Sequence, residues 1–206
     1  MLGTGSAFLE YSDAEHSYFV DGRQMPSVTT ILDAAGLVSQ FSKDEEAAHR
    51  GTQVHAFTAD DDAHGVDLRK VPTHLRPFLR AWRKFRKDTG FVPSLIEQRI
   101  DCMEFGYSGR FDRLGSRRGQ TLLTLLDIKT SISGVVPEYA RLQLAGYAFA
   151  YNPNQVFERM AVSLKPDSTY NVKIYPITTD RIDRAEWLGM VQLFNLQGQN
   201  NGNGKT

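Results

Sequence analysis

Cysteine is nearly missing from this chain: Cys102 stands alone among 206 residues. A single thiol excludes an internal disulfide and any cluster held by four cysteines of the same chain. Net charge is missing too, with 24 Lys and Arg against 24 Asp and Glu, so no whole-molecule field points to a polyanionic partner. No apolar run approaches the roughly 20 residues of a membrane helix, and the start of the chain has neither the basic stretch nor the apolar core of a signal peptide. A cytoplasmic protein with no membrane association is expected. The opening GTGS lacks the lysine and the spacing of a phosphate-binding loop.

What is present fits one α/β domain with extensions. The chain is long enough to bury a sizeable core, and 41% hydrophobic with 23% charged residues is ordinary for a globular protein. FLEYSDAEHSYFVDG alternates around a polar turn and predicts a β-hairpin. Ser27 caps a short helix, VTTILDAAG, stopped by Gly36. Residues 43–58 carry good helix formers, and a polar, acidic loop should follow to about Pro72. Thr73 is placed to cap the next helix, with Pro77 in its first turn. There Leu75, Phe78, Leu79, Trp82 and Phe85 recur at helical spacing and predict a buried stripe.

Beyond Gly90 the pattern turns to strands: SLIEQRIDCM, FGYSGRFDRLG and QTLLTLLDIKT, punctuated by glycines. Pro137 opens a helix, EYARLQLAGYAFAY, which ends near Asn152-Pro153. Its aromatic positions are mostly core. Two further strands, QVFERMAVSL and TYNVKIYPIT, precede a last helix over about 181–195. The apolar-free tail QGQNNGNGKT is expected to be disordered. The boundaries predicted are an N-terminal hairpin and helix extension over 1–42, a core over 43–196 and a tail over 197–206.

The most apolar strand ends in an unusual way. In LLTLLDIKT, Asp127 and Lys129 point to one face and Ile128 to the other. A lone D-x-K at a strand end is most often an ion pair whose members satisfy each other. Company changes that reading: in GRFDRLG, Asp112 is a second carboxylate among apolar neighbours on a neighbouring strand. Two adjacent carboxylates repel and need a cation between them. With oxygen ligands and no thiolates, that cation is Mg²⁺ or Mn²⁺. A lysine there can orient or help deprotonate an attacking water, or stabilise charge developing on a phosphate.

G-R-F-D followed by a hydrophobic strand ending D-I-K resembles the PD-(D/E)xK nuclease superfamily, most closely its RecB-like exonuclease branch. RGTQVH offers His55 where that branch has a helix-borne histidine, and QLAGY offers Gln143 and Tyr147 one turn apart on the helix after the catalytic strand. The resemblance spans about His55 to Tyr147. It implies a restriction-endonuclease-like core, a central mixed sheet of four or five strands flanked by helices. It also implies Asp112, Asp127, the Ile128 carbonyl and His55 as metal ligands, Lys129 as the catalytic lysine, and Gln143 and Tyr147 shaping the site. Glu97, on the strand before Asp112, is a further acidic candidate or a solvated strand residue. His49 and His64 lack such context and should face solvent. Some RecB-like nucleases carry an iron–sulfur cluster on four cysteines; this chain cannot, and is more similar to compact, cluster-free phage members.

Charge is unevenly spread. Eight basic and no acidic residues lie between Arg69 and Lys87, while Asp60, Asp61, Asp62 and Asp67 crowd the segment before. A basic helix face is usually just solvated. Beside a phosphodiesterase centre, Arg76, Arg80, Arg83, Lys84 and Lys87 become a track for a DNA backbone. The function expected is metal-dependent hydrolysis of DNA as an exonuclease, in repair, recombination or phage DNA processing, with a recombination or phage protein as a conceivable partner. The alternative is a nuclease fold that binds DNA or a partner protein without cutting.

Overall fold

A computed structural model describes the backbone of residues 9–12, 17–20, 23–38 and 45–202 and the side chains of 25–38 and 45–198. The opening GTGS and the last four residues lie outside the described part. Three short strands, β1 (Leu9–Ser12), β2 (Ser17–Val20) and β3 (Arg23–Met25), form an antiparallel sheet. They include the expected hairpin. Ser27 then caps α1 (Val28–Ala34), its Oγ accepting the Thr30 amide at 3.0 Å, which satisfies one orphan donor of the first turn. The segment is joined to the larger sheet through the Ser108 amide, which donates to the Pro26 carbonyl at 3.0 Å.

The larger sheet has the order β4 (Val92–Cys102), β5 (Tyr107–Ser116), β6 (Thr124–Thr130), β7 (Glu158–Leu164) and β8 (Tyr170–Tyr175). All neighbours are antiparallel except β6 and β7. A parallel pair needs a crossover, and α4 (Ala140–Tyr151) supplies it. The five-stranded mixed sheet is the one the sequence predicted. β6 and β7 are interior strands, and Thr124 to Ile128 and all of β7 are buried, as strands covered on both faces must be.

Successive residues of β6 serve two cores. Leu125 joins α1, α4 and the last helix, α5 (Asp180–Gly202), through Val28, Leu144, Ala148 and Trp187. Leu126 and Ile128 join α2 (Glu45–His64) and α3 (Arg76–Thr89) through Val54, Phe78, Trp82 and Phe85. The predicted stripe of α3 is buried throughout. Trp82 is fully buried, stacked on Phe85 at 5.3 Å between centroids, and Trp82→Ala would cost about 3–5 kcal/mol.

Three local expectations differ. The acidic stretch after residue 58 is helical as far as His64, because Asp61 and Asp62 are drawn inward: Asp61 pairs with Arg83, and Asp62 accepts from Trp82 Nε1 at 2.9 Å. Thr73 does not cap α3; the cap position is Leu75, and the Leu75 and Arg76 amides bond the Pro72 carbonyl instead. The final helix continues to Gly202, into the segment expected to be disordered.

Candidate active site

The register of the sheet places the site. Gln98 pairs with Phe111 and Ile96 with Arg113, so Glu97 stands opposite Asp112. Arg113 pairs with Leu126 at the end of its ladder, and Asp112 and Asp127 come one residue further on along β5 and β6. Three carboxylates therefore occupy one row across β4, β5 and β6. Glu97 adopts φ 49° there, a left-handed conformation that side chains rarely take. The ladder between β5 and β6 ends at Leu126, and the freed Ile128 amide donates to the Asp112 carboxylate. Because the N–H and C=O of an extended residue point to the same side, the Ile128 carbonyl lies on that edge too.

α2 adds the nitrogen. His55 Nδ1 is 3.2 Å from Asp112 Oδ1 and 3.7 Å from Glu97 Oε1, with 27% of its side chain exposed. Ligand atoms of His55, Glu97 and Asp112 lie within 4.8 Å of one another. Burial alone would lower the pKa of the ring, but Asp112 and then Glu97 overcome it and push it up to about 10. Asp112 moves the opposite way: burial would raise its carboxyl, yet the His55 charge and the Ile128 amide hold it below the usual range. One imidazole nitrogen and hard carboxylate oxygens, with a main-chain carbonyl beside them, suit a hard divalent cation.

Asp127, expected as a ligand, lies on the α4 side of the row. On the Leu125 face of β6, its Oδ1 and Oδ2 lie 3.1 and 3.0 Å from Lys129 Nζ, and it is not part of the His55 group. Glu97, the weaker candidate from sequence, groups with His55 and Asp112. Burial pushes the Asp127 carboxyl up to about 6, against the pull of Lys129. Burial would lower the Lys129 ammonium, but Asp127 outweighs it and the ammonium is held above its ordinary range.

α4 completes the arrangement. Lys129 Nζ donates to Gln143 Oε1 at 2.8 Å, and Gln143 Nε2 donates to the Tyr147 hydroxyl at 3.0 Å. The i and i+4 spacing places both side chains on one helix face. Tyr147 lies across Gly109, where a Cβ would come within 2.8 Å of its ring, so only glycine fits beneath it. Tyr139 adds its ring face 5.6 Å from Lys129 Nζ. As expected, His49 and His64 are exposed and stand apart, His64 bonding Asp60.

Sequence reasoning missed Arg113. Fully buried on β5, it donates to Glu97 Oε1 at 2.8 Å, Asp62 Oδ2 at 2.7 Å and Thr58 Oγ1 at 3.1 Å. It thereby ties the strained Glu97 to α2. The signal was an arginine inside an apolar strand, since buried guanidinium requires carboxylate partners.

The predicted basic track is largely occupied. Arg76 bonds the Val71 and Arg69 carbonyls, Arg83 pairs with Asp61, and Lys84 pairs with Asp88. Arg80 and Lys87 remain exposed. No described helix is long and apolar enough to cross a membrane.

A model of the PD-(D/E)XK nuclease superfamily matches residues 33–192. No curated protein matches the sequence. Among solved structures, a candidate exonuclease from Eubacterium rectale is similar at 14% identity and a TM-score of 0.48, over 89% of this chain and 77% of that one. An alkaline exonuclease from Laribacter hongkongensis is similar at 14% identity and a TM-score of 0.40, over 88% and 95% of the two chains.

Proposed function

The chain belongs to the PD-(D/E)XK nuclease superfamily, and from that premise we propose that it is a Mg²⁺- or Mn²⁺-dependent deoxyribonuclease acting on DNA ends in repair, recombination or phage DNA processing. One observation carries the reading: the chain of contacts Asp127–Lys129–Gln143–Tyr147 lies directly beside the His55, Glu97 and Asp112 group. A structural ion pair would need neither the extended polar chain nor a second acidic cluster next to it.

His55, Glu97 and Asp112 would hold the cation, with Asp127 and the Ile128 carbonyl at its margin. When bound, a divalent ion polarises a phosphate oxygen and lowers the pKa of a coordinated water. Lys129 presents an ammonium rather than a free amine, so its role is to orient the attacking water and to stabilise negative charge on the phosphate. Asp127 keeps that ammonium in place. Gln143, held by Tyr147, fixes its second hydrogen bond and hence its direction. Arg80 and Lys87 form no hydrogen bond or ion pair among the described residues and remain available to DNA phosphates.

The test is incubation of the protein with end-labelled linear and closed circular DNA, single- and double-stranded, with Mg²⁺, Mn²⁺ or EDTA, beside Lys129→Ala. Metal-dependent loss of linear DNA, spared circles and an inactive variant are expected. Cut circles would make it an endonuclease, and binding without cleavage would make it a binding module.

A further inference from the structure

The end of the sheet remote from the acidic row carries an open depression of about 370 Å³, where Arg83, Arg86, Lys87 and Arg118 surround Gly90 and Phe91. We propose that this depression is a second phosphate site, which takes a backbone phosphate of DNA whose end lies at the catalytic centre. The DNA source rests on the nuclease reading above; the phosphate chemistry rests on the depression alone.

Four cations converge there from two separate segments, with no carboxylate among the lining residues. Arg86 and Lys87 in the last turn of α3 complement the negative end of the helix dipole, which accounts for their presence. It does not account for Arg118, which arrives from the turn between β5 and β6. That turn is brought in by the Arg118 amide, which donates to the Thr89 carbonyl at 3.3 Å. Gly90 makes the approach possible: it takes φ 65°, and a Cβ there would lie 2.8 Å from Arg118 Cβ.

The cations are also prepared for an oxyanion. Arg83 is braced from behind by Asp61 and the Val66 carbonyl, and Arg86 by Asp62, so neither needs much ordering on binding. Arg86 keeps its other guanidinium nitrogens beside the depression while Asp62 holds it from behind. Lys87 and Arg118 are exposed and form no ion pair among the described residues. They supply the net positive charge, and planar guanidinium forks suit phosphate oxygens.

Separation fixes which phosphate it can be. Asp112 and Ser116 are four residues apart on β5, about 13 Å at roughly 3.3 Å per residue, and Arg118 lies beyond. The scissile phosphate is therefore excluded. At about 3.4 Å of axis per base pair, the site would engage duplex at least about four pairs from the reacting end.

The test is binding of an end-labelled 30-base-pair duplex in EDTA across a salt series, comparing the unaltered protein with Arg118→Gln and with Lys87→Gln/Arg118→Gln. Removing one cation that neutralises a phosphate should reduce the slope of log K against log salt by about 0.9, and the double change should weaken binding about tenfold or more at low salt. Both side chains are exposed, and a melting curve confirms the fold. An unchanged slope overturns the proposal. Inorganic phosphate is the second probe: if it raises the melting temperature through Arg118 while the DNA slope is unaltered, the ligand is free phosphate and the DNA assignment is overturned. A protein that shows the Arg118-dependent slope but cuts nothing keeps this site and loses the catalytic reading instead.

Discussion

Two arginines are buried inside this sheet, and they differ in what lies at the far end of their ion pairs. Arg159 on β7 is 1% exposed and bonds Asp183 at 2.6 Å, with Asp180 at 3.2 Å. Asp183 is claimed in turn by Arg141 and by the Thr179 hydroxyl. That network closes on itself and fastens α5 and α4 to the sheet. Arg113 on β5 is equally buried and also holds two carboxylates, Asp62 and Glu97. Its network does not close. Beyond Glu97 lie the partly exposed His55 and the buried Asp112, a left-handed backbone and a grouping of ligand atoms. Identical physics in the interior thus serves anchoring in one place and positioning in the other. An open, strained end is what separates them.

The sharpest break in the comparison is Asp112→Ala. Removing it takes away the carboxylate that meets both His55 and the Ile128 amide, and cleavage should fall by about 10² to 10⁴ while far-ultraviolet circular dichroism keeps its folded shape. Retained cleavage would remove the site assignment. On the closed side, Asp183→Asn leaves Arg159 with Asp180 alone and should cost about 1–3 kcal/mol of stability, read by urea unfolding. Cleavage per folded molecule should stay at the level of the unaltered protein, since Asp183 touches nothing at the site; a matching loss of activity would dissolve the distinction.

A milder change sharpens the open side. Arg113→Lys keeps the charge but removes the fork that joins Glu97 to Asp62 and Thr58. Groups behind a metal ligand typically govern affinity by about 10- to 100-fold, so the Mn²⁺ dissociation constant, followed by its paramagnetic resonance signal, should rise by that factor. Unchanged Mn²⁺ affinity would make Arg113 an anchor like Arg159.

How far the sequence reached follows the same division. The D-x-K pair was legible because a strand alternates within a few residues, and Gln143 and Tyr147 were legible through the family resemblance, their helical spacing placing them on one face. The pairings that escaped notice span longer intervals. Asp61 and Asp62 meet Arg83 and Arg86 across a helix turn-back, and Asp62 meets Arg113 across two more elements. Read linearly, those aspartates looked like a polar loop and Arg83 like part of a free basic track. The place of Glu97 beside His55 depended on register, which sets Glu97 opposite Asp112, and on a positive φ that no pattern in SLIEQRIDCM announces.

Titration offers a further test of the open end. His55 is raised from 6.5 to about 10, so the metal-free native state binds more protons than the unfolded chain between those values. Its contribution to stability is complete below pH 6.5 and is lost as pH rises toward 10, at no more than about 1.4 kcal/mol per pH unit. In EDTA the melting temperature should therefore decline over pH 7–9, and His55→Asn should flatten that decline. A divalent ion needs the neutral ring, so stabilisation by added Mn²⁺ should grow over the same range. A decline that persists unchanged in His55→Asn would assign it to other groups.

The smallest expected effect tests how far the site's order extends from the cation. Tyr147→Phe removes only a hydroxyl that accepts from Gln143 Nε2 at 3.0 Å. The ring still fills the space over Gly109, so packing is preserved. Gln143 then keeps its bond to Lys129 but has nothing to fix its amide plane. A neutral hydrogen bond contributes about 0.5–1.5 kcal/mol, which corresponds to a fall in kcat of about 2- to 12-fold if the whole effect passes to Lys129. KM should be little altered, because neither group is placed to grip DNA away from the reacting phosphate. A rise in KM with kcat preserved would instead assign Tyr147 to substrate binding, and the polar chain from β6 into α4 would end at Gln143.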